Sequence, residues 1–147
     1  MLSPYRVLDL SDERGIVCGY VFAELGADVL SIEPPGGSSA RRRGPFAEDN
    51  QDGEHSLFWW AYARNRRSVL LDPSSPGDRE ALLRLVETAD VLIESGTPGD
   101  MERVGLGYPD LAAINPAIVY VSITPFGQNG PKANWAATDL TIMAAGA

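Results

Sequence analysis

Cysteine, histidine and long apolar runs are scarce in this chain of 147 residues. Cys18 is the single cysteine and His55 the single histidine, so an intrachain disulfide is excluded and a zinc site of Cys and His ligands is not expected. No stretch approaches the roughly 20 apolar residues of a membrane-spanning helix, and the first residues lack the basic start and apolar core of a signal peptide. We therefore expect a cytoplasmic protein with no metal site and no membrane partner.

Positive charge is also sparse, since the formal net charge is −8. Broad nucleic-acid binding needs a basic face, so we expect no nucleic-acid partner. Half of the 12 basic residues lie in two clusters, Arg41–Arg43 and Arg64, Arg66 and Arg67. Arg41–Arg43 follow a Pro-Pro-Gly-Gly turn at a strand end. Their guanidinium groups suit phosphate oxygens, whereas the plainer interpretation is a solvated loop that balances nearby acids. The sequence leaves both open.

Hydrophobic periodicity predicts a regular alternation of strands and helices. Strands are predicted at 6–10, 28–32, 68–72, 90–93 and 118–123, and helices at 15–25, 57–62, 76–86, 108–114 and from 138 or 139 onward. A long polar loop covers 34–56. Alternation of this kind favours one α/β domain with a doubly wound, mainly parallel sheet, in which the first two strands are neighbours.

Two of the predicted helices carry further expectations. One face of the first helix is predicted to carry the large apolar residues Val17, Val21, Phe22 and Leu25. The helix at 57–62 is rich in aromatic residues and is predicted to be buried. Either Thr138 or Asp139 can cap the last helix; we expect Asp139 to serve as a cap.

The stretch 89–108 is the most informative part of the chain. An apolar run ends on Glu94, a turn of small residues follows, and a short helix then carries Glu102 and Arg103. Because the carboxyl ends of parallel strands face the ligand crevice, this pattern predicts a strand that delivers a loop to a ligand. An ordinary strand-to-helix turn is the alternative. The glycine-rich loop 125–131 is likewise either structural or a lid over the same edge.

These features, taken together, resemble family III CoA-transferases, which include formyl-CoA transferases, carnitine CoA-transferases and α-methylacyl-CoA racemases. The resemblance covers the whole chain and depends on the order and spacing of short motifs. They are Val7–Ser11, Leu25–Val29, Ile32–Gly37, Arg42, Gly44-Pro45, Asn65–Asp72, Ala89–Glu94, Pro98-Gly99, Met101–Arg103, Gly105–Tyr108, Asn115-Pro116 and Phe126–Pro131. It implies a Rossmann-like CoA-binding domain that forms the N-terminal portion of an incomplete family fold.

The resemblance also implies a ligand, coenzyme A as an acyl-CoA substrate, and a set of residues that bind it. Carried over by position, these residues are Gly15, Arg42, Leu71 on the adenine side, Ser95, Gly96 and Arg103. The chain departs from the family pattern in the first turn, where Arg14-Gly15-Ile16 replaces Ala-Gly-Pro. It departs again after Glu94, where Ser95-Gly96 replaces Asn-Phe or a similar pair.

The activity implied by the resemblance is transfer of CoA between an acyl-CoA and a carboxylic acid through an aspartyl intermediate. By the family pattern that aspartate lies beyond residue 147, so no catalytic residue is assigned and we expect this chain alone to be inactive. Racemases of the family carry a histidine where this chain has Thr138, which disfavours a racemase. A homodimer is expected only with the full family fold. The alternatives are a non-catalytic CoA-binding module, one piece of a split or tandem enzyme, and a fragment that cannot fold.

Overall fold

The computed structural model describes residues 1–49 and 53–146. The strands are β1 Arg6–Asp9, β2 Asp28–Glu33, β3 Arg67–Leu70, β4 Val91–Glu94 and β5 Val119–Ser122. The helices are α1 Ile16–Glu24, α2 Leu57–Tyr62, α3 Pro76–Val86, α4 Asp100–Arg103, α5 Tyr108–Ile114 and α6 Asp139–Ala145. Short 3₁₀ helices occupy Ser39–Arg42 and Ala47–Asp49. Of the predicted polar loop, residues 50–52 lie outside the described part of the chain.

The five strands form one sheet in the order β3-β2-β1-β4-β5, and every neighbouring pair is parallel. At its centre Leu8 of β1 lies opposite Leu30 of β2 and Leu92 of β4. The chain builds outward from β1 to β3 and then returns to place β4 and β5 on the other side. This reversal between β1 and β4 creates a crevice at their carboxyl ends. The predicted doubly wound, parallel α/β fold is confirmed.

Apolar layers cover both faces of the central strands. On one face Leu8 and Leu92 pack with Leu82 and Val86 of α3 and with Leu111 of α5. On the other face a second cluster joins the sheet to α1, and its buried members are Val7, Ala23, Ala27, Val29, Val91 and Ile93. A strand that is buried on both faces has an uninterrupted run of apolar residues, which is why β1 and β4 could be predicted from the sequence.

Helix α1 packs on the sheet through small residues. Ile16, Gly19 and Ala23 are its buried positions, whereas Val17 and Val21 are 49% and 47% exposed. A Cβ atom on Gly19 would lie 1.9 Å from Oδ2 of Asp9, so the helix approaches β1 only because this residue is glycine. The predicted face of large apolar residues is therefore not the packed face, although Phe22 does contact the core.

Two other helices differ from expectation. Helix α2 has no buried residue, and Trp60 is 49% exposed, so the prediction of a buried aromatic helix is wrong. Two of its rings instead stack with arginines. The guanidinium carbon of Arg41 lies 4.1 Å from the centre of the Trp59 ring, and that of Arg43 lies 4.6 Å from the centre of the Phe58 ring. At α6 the cap is Thr138, whose side chain accepts a hydrogen bond from the backbone of Thr141. Asp139 is the first helical residue and not the cap.

Candidate functional site

The loops that follow β1 and β4 are tied together at the point where the strand order reverses. The backbone N–H of Asp12 donates to Oγ of Ser95 over 2.9 Å, and that hydroxyl donates back to Oδ1 of Asp12 over 2.9 Å. Ser95 is 2% exposed. Its side chain is thus fully engaged between the two loops, which fixes the floor of the crevice and leaves a ligand no access to that hydroxyl.

Arg14 completes this tie and reaches the open side of the crevice. Its Nη2 donates to the carbonyl oxygen of Ser95 over 2.5 Å and to Oδ2 of Asp12 over 2.6 Å. Burial raises the pKa of Asp12, but hydrogen bonds from Arg14 and Ser95 outweigh it, so the net shift is downward. The Arg14 side chain remains 50% exposed. Sequence reasoning noted Arg14 only as a departure from a motif and missed its position.

Two glycines predicted as ligand contacts have clear structural reasons. A Cβ atom on Gly15, the residue before α1, would lie 2.6 Å from Cβ of Ser11 and 3.1 Å from Cδ1 of Ile123. The N–H of Gly96 donates to Oε2 of Glu94 over 2.7 Å, and a Cβ atom on Gly96 would lie 3.2 Å from the same oxygen. Both positions therefore allow close approach of backbone at the crevice, and neither offers a side chain to a ligand.

Three strands end on buried carboxylates at the same edge. Asp9, Glu33 and Glu94 end β1, β2 and β4, and each is 2% exposed. Nη1 of Arg66 lies 2.7 Å from Asp9, and Nε of Arg41 lies 2.6 Å from Glu33. These contacts fasten distant segments of the chain to the strand ends.

Glu94 differs from the other two carboxylates, because no cation pairs with it among residues 1–49 and 53–146. It accepts hydrogen bonds from the N–H of Gly96 and, over 3.3 Å, from Nε2 of Gln128. Gln128 also donates to Oγ of Ser122 over 2.5 Å. The glycine-rich loop is thereby fastened to the sheet edge, which favours the structural interpretation over a lid.

Most arginines of the two clusters form ion pairs with carboxylates of the same fold. Arg41, Arg64, Arg66 and Arg67 pair respectively with Glu33, Glu24, Asp9 and Asp28. Arg42 and Arg43 have no carboxylate partner in the described part of the chain. Nη1 of Arg42 donates to the carbonyl of Gly36 over 3.3 Å. Of the two interpretations left open for Arg41–Arg43, charge balance holds for Arg41, which pairs with Glu33, and phosphate binding stays a prediction for Arg42 and Arg43.

The remaining predicted residues lie along the same edge. Leu71 follows β3, is half-buried against the core, and donates its N–H to the carbonyl of Glu33 over 2.9 Å. Arg103 ends α4, is 72% exposed and donates to the carboxylate of Asp100. All six predicted positions thus follow the carboxyl ends of β1 to β4, where a doubly wound sheet binds ligands.

A cavity of about 660 Å³ opens beside this edge. Its walls come from the loops after β1, β2, β4 and β5, from the segment before α6 and from α6 itself: Glu13, Arg14, Arg43, Gly96–Pro98, Ile123–Pro125, Ala133–Asp139 and Ile142. Its size fits a small-molecule site. Of the six predicted residues, Gly96 alone is among those that line the cavity.

The described part of the chain holds neither a metal-binding cluster nor a membrane-spanning helix. Within residues 1–49 and 53–146, no group of three or more His, Cys, Asp and Glu side chains could hold a metal ion. In the same part of the chain, no helix is both long enough and apolar enough to cross a membrane.

Known proteins match both the sequence and the fold. A family model described as CoA-transferase family III matches residues 2–147. The chain is 37% identical over 142 residues to a succinyl-CoA:(R)-benzylsuccinate CoA-transferase subunit of Thauera aromatica, covering 97% of this chain and 35% of that protein. It is 40% identical over 125 residues to an acetyl-CoA:oxalate CoA-transferase of Acetobacter aceti, covering 84% of this chain and 31% of that protein. The chain thus spans about a third of the length of these curated relatives.

Solved structures agree with the sequence comparisons. A CAIB/BAIF family protein from Brucella suis superposes with a TM-score of 0.88 at 36% identity, covering 99% of this chain and 39% of that one. The orthorhombic form of Rv3272 from M. tuberculosis gives a TM-score of 0.85 at 35% identity, covering 98% of this chain and 40% of that one.

Proposed function

The chain belongs to CoA-transferase family III, and from that membership we propose that it forms the N-terminal, CoA-binding portion of a CoA-transferase. The whole enzyme moves CoA between an acyl-CoA and a carboxylic acid. The observation that carries the proposal is the family match over residues 2–147. The names of the matched relatives support it, because they describe CoA-transferases that act on benzylsuccinate and on oxalate.

We propose that CoA lies across the carboxyl edge of the sheet, with its adenine near Leu71. Arg42 contacts the phosphates, since it is exposed and lacks a carboxylate partner in the described part of the chain. The loop at Ser95 and Gly96 and the guanidinium of Arg103 flank the rest of the molecule. Gly15 contributes close backbone approach at the first turn. A few placed arginines thus let a protein of net charge −8 bind a polyanion.

The chemistry of the proposed transfer needs a carboxylate nucleophile. An aspartate carboxylate attacks the acyl-CoA thioester and releases CoA thiolate, which leaves an acyl anhydride on the aspartate. The CoA thiolate then attacks the aspartyl carbonyl of the anhydride, which releases the first acid and forms an aspartyl-CoA thioester. The carboxylate of the second acid attacks this thioester and releases CoA thiolate, which leaves a second anhydride. Attack of the thiolate on the acyl carbonyl of that anhydride gives the new acyl-CoA and regenerates the aspartate. In this proposal the aspartate follows residue 147, so the chain supplies binding and no nucleophile.

Transferase chemistry is preferred to racemisation on the evidence of Thr138. Its hydroxyl caps α6 and accepts from the N–H of Thr141. A hydroxyl of that kind does not exchange protons with a substrate carbon at neutral pH, whereas a histidine can. We further propose a cytoplasmic location, consistent with a single cysteine, and a homodimer formed by the complete family fold.

A second candidate function is a CoA-binding module without chemistry, favoured by the coverage of about a third of each relative. Titration calorimetry and a turnover assay on the same chain test both candidates. We expect saturable CoA binding and no transferase turnover by the 147 residues alone. An Arg42→Gln variant should bind CoA about tenfold more weakly, because it loses a charge-assisted contact worth about 1.5 kcal/mol.

The matched control is Arg84→Gln, which changes an exposed arginine of α3 that pairs with Glu80. This variant should retain wild-type CoA affinity and a cooperative melt. Absence of saturation at millimolar CoA would remove both candidates. Robust turnover by this chain would instead show that its nucleophile lies within it.

A further inference from the structure

Arg14 has an unused donor edge. Its Nε and Nη2 are held by the carboxylate of Asp12 and by the carbonyl of Ser95. Within residues 1–49 and 53–146, no group accepts a hydrogen bond from Nη1. The side chain is half exposed and lines the cavity. A guanidinium fixed on one side and free on the other is oriented before any ligand arrives, which reduces the entropy cost of binding.

The position of Arg14 in the sheet decides which part of a ligand it meets. Neighbouring strands lie about 4.8 Å apart, so the ends of β3 and β4 are roughly 14 Å apart across β2 and β1. The cavity is walled mainly by the loops after β1, β4 and β5, with Arg43 from the loop after β2, and no residue of the segment that follows β3 lines it. A CoA thioester with its adenine at β3 therefore brings its acyl end toward Arg14.

The charged residues around the cavity cancel in number, so an anion would be held there by a single side chain and not by a general positive potential. Glu13, Arg14, Arg43 and Asp139 line it, two of each sign. Glu13 accepts a hydrogen bond from the hydroxyl of Ser39, and Arg43 stacks on Phe58. Of the two arginines at this end, Arg14 is the one whose orientation is fixed by hydrogen bonds to Asp12 and Ser95, and guanidinium geometry matches a carboxylate.

We propose that Arg14 determines specificity at this site by selecting acyl groups and acids that carry a second carboxylate, remote from the thioester. The inference deepens the proposed function and rests on it. The acids concerned are short dicarboxylic acids, in which one carboxyl group forms the thioester and the other meets Nη1 of Arg14.

Succinyl-CoA and butyryl-CoA are the probes, because both have a four-carbon acyl group and differ in a terminal carboxylate or methyl. Titration calorimetry measures both on wild-type chain and on Arg14→Gln, Arg14→Lys and Arg84→Gln. We expect wild type and Arg84→Gln to bind succinyl-CoA about tenfold more tightly than butyryl-CoA. Arg14→Gln should bind both equally, because it loses the contact that distinguishes a terminal carboxylate from a methyl group. Arg14→Lys should keep part of the preference, since it keeps the charge.

Three results would overturn the inference: equal binding of both thioesters by wild type, a preference that survives in Arg14→Gln, or an equal loss of both thioesters and of free CoA in that variant. The last result would assign Arg14 to CoA itself. If wild type binds neither CoA nor thioester, the proposed function fails separately. Succinate against butyrate as free acids then decides the inference, with a preference lost in Arg14→Gln supporting it and no preference overturning it.

Discussion

Replacing Arg66 by methionine tests the buried ion pair at the end of β1. The side chains of Arg66 and Asp9 are 3% and 2% exposed, and Nη1 lies 2.7 Å from Oδ2. Nη2 of Arg66 also donates to the carbonyl oxygens of Ile16 and Tyr62, so one side chain joins β1, α1 and α2. Methionine fills much of the space but leaves Asp9 buried without a cation.

The expected loss is large because a lone buried charge is costly. Removing one partner of a buried pair costs about 3–5 kcal/mol, against a total free energy of unfolding of about 5–15 kcal/mol for a domain. The double variant Asp9→Asn with Arg66→Met removes both charges. It should be more stable than Arg66→Met alone, since replacing a whole buried pair is often nearly neutral.

The loss should also depend on pH. Burial raises the pKa of Asp9, and hydrogen bonds from Ser11 and Arg66 oppose that rise only in part. Without Arg66 the pKa rises further. A carboxyl group whose pKa is higher in the folded state favours folding when it is protonated. Arg66→Met should therefore lose less stability, relative to wild type, at pH 5 than at pH 8.

Urea unfolding followed by circular dichroism at both pH values measures these quantities. Arg84→Met is the matched control, because Arg84 is 63% exposed in a surface pair with Glu80 and should cost at most about 0.5 kcal/mol. The reasoning is refuted if Arg66→Met costs no more than Arg84→Met. It is also refuted if removing both charges restores nothing.

The remaining predictions concern two positions near the same edge. Gly19→Ala places a Cβ atom 1.9 Å from Asp9 and should lower the free energy of unfolding by about 2 kcal/mol, as measured by urea unfolding. The control Gly77→Ala, whose Cβ atom would have no neighbour within 4 Å, should be neutral or stabilising. Equal responses of the two variants would contradict the close packing of α1. Burial raises the pKa of Glu33, but bonds from Arg41, Ser68 and the Ser38 N–H outweigh it and lower this pKa from 4.5 to about 2. The stabilisation from the ionised Glu33 is therefore present above pH 4.5 and is lost as the pH falls toward 2. The stability of wild type minus that of Glu33→Gln should shrink over this range, and a constant difference would contradict the prediction.

Local patterns in the sequence predict most of the elements, because strands buried on both faces and capped helices leave local signals. The helix predicted at 76–86 is found at Pro76–Val86, where proline opens the first turn. The packing face of α1 could not be read in this way. Hydrophobicity ranks Val17 and Val21 above Gly19, but the close approach to Asp9 depends on tertiary structure.

Some features of the candidate site can likewise be predicted from the sequence, and others cannot. Parallel topology predicts that Gly15, Ser95 and Gly96 lie at one edge, since consecutive strand ends meet there. The partners of the arginines could not be predicted, because Asp9 and Arg66 are 57 residues apart and meet only when β3 joins the sheet. Arg14 was missed for the same reason, as its partner Ser95 lies 81 residues away.

The strand order also sets a gradient of local stability across the proposed site. β1 and β4 are interior strands with buried side chains, whereas β3 is an edge strand in which Leu70 is 59% exposed. Segments with few buried contacts open at lower free energy than core strands. The part of the site around Arg14 follows the interior strands β1 and β4 and would therefore lie on backbone that opens rarely, while the loop after the other edge strand, β5, adds the outer wall. The adenine end of a bound thioester would rest on an edge that must be ordered, so part of the binding energy there is spent on holding β3 in place.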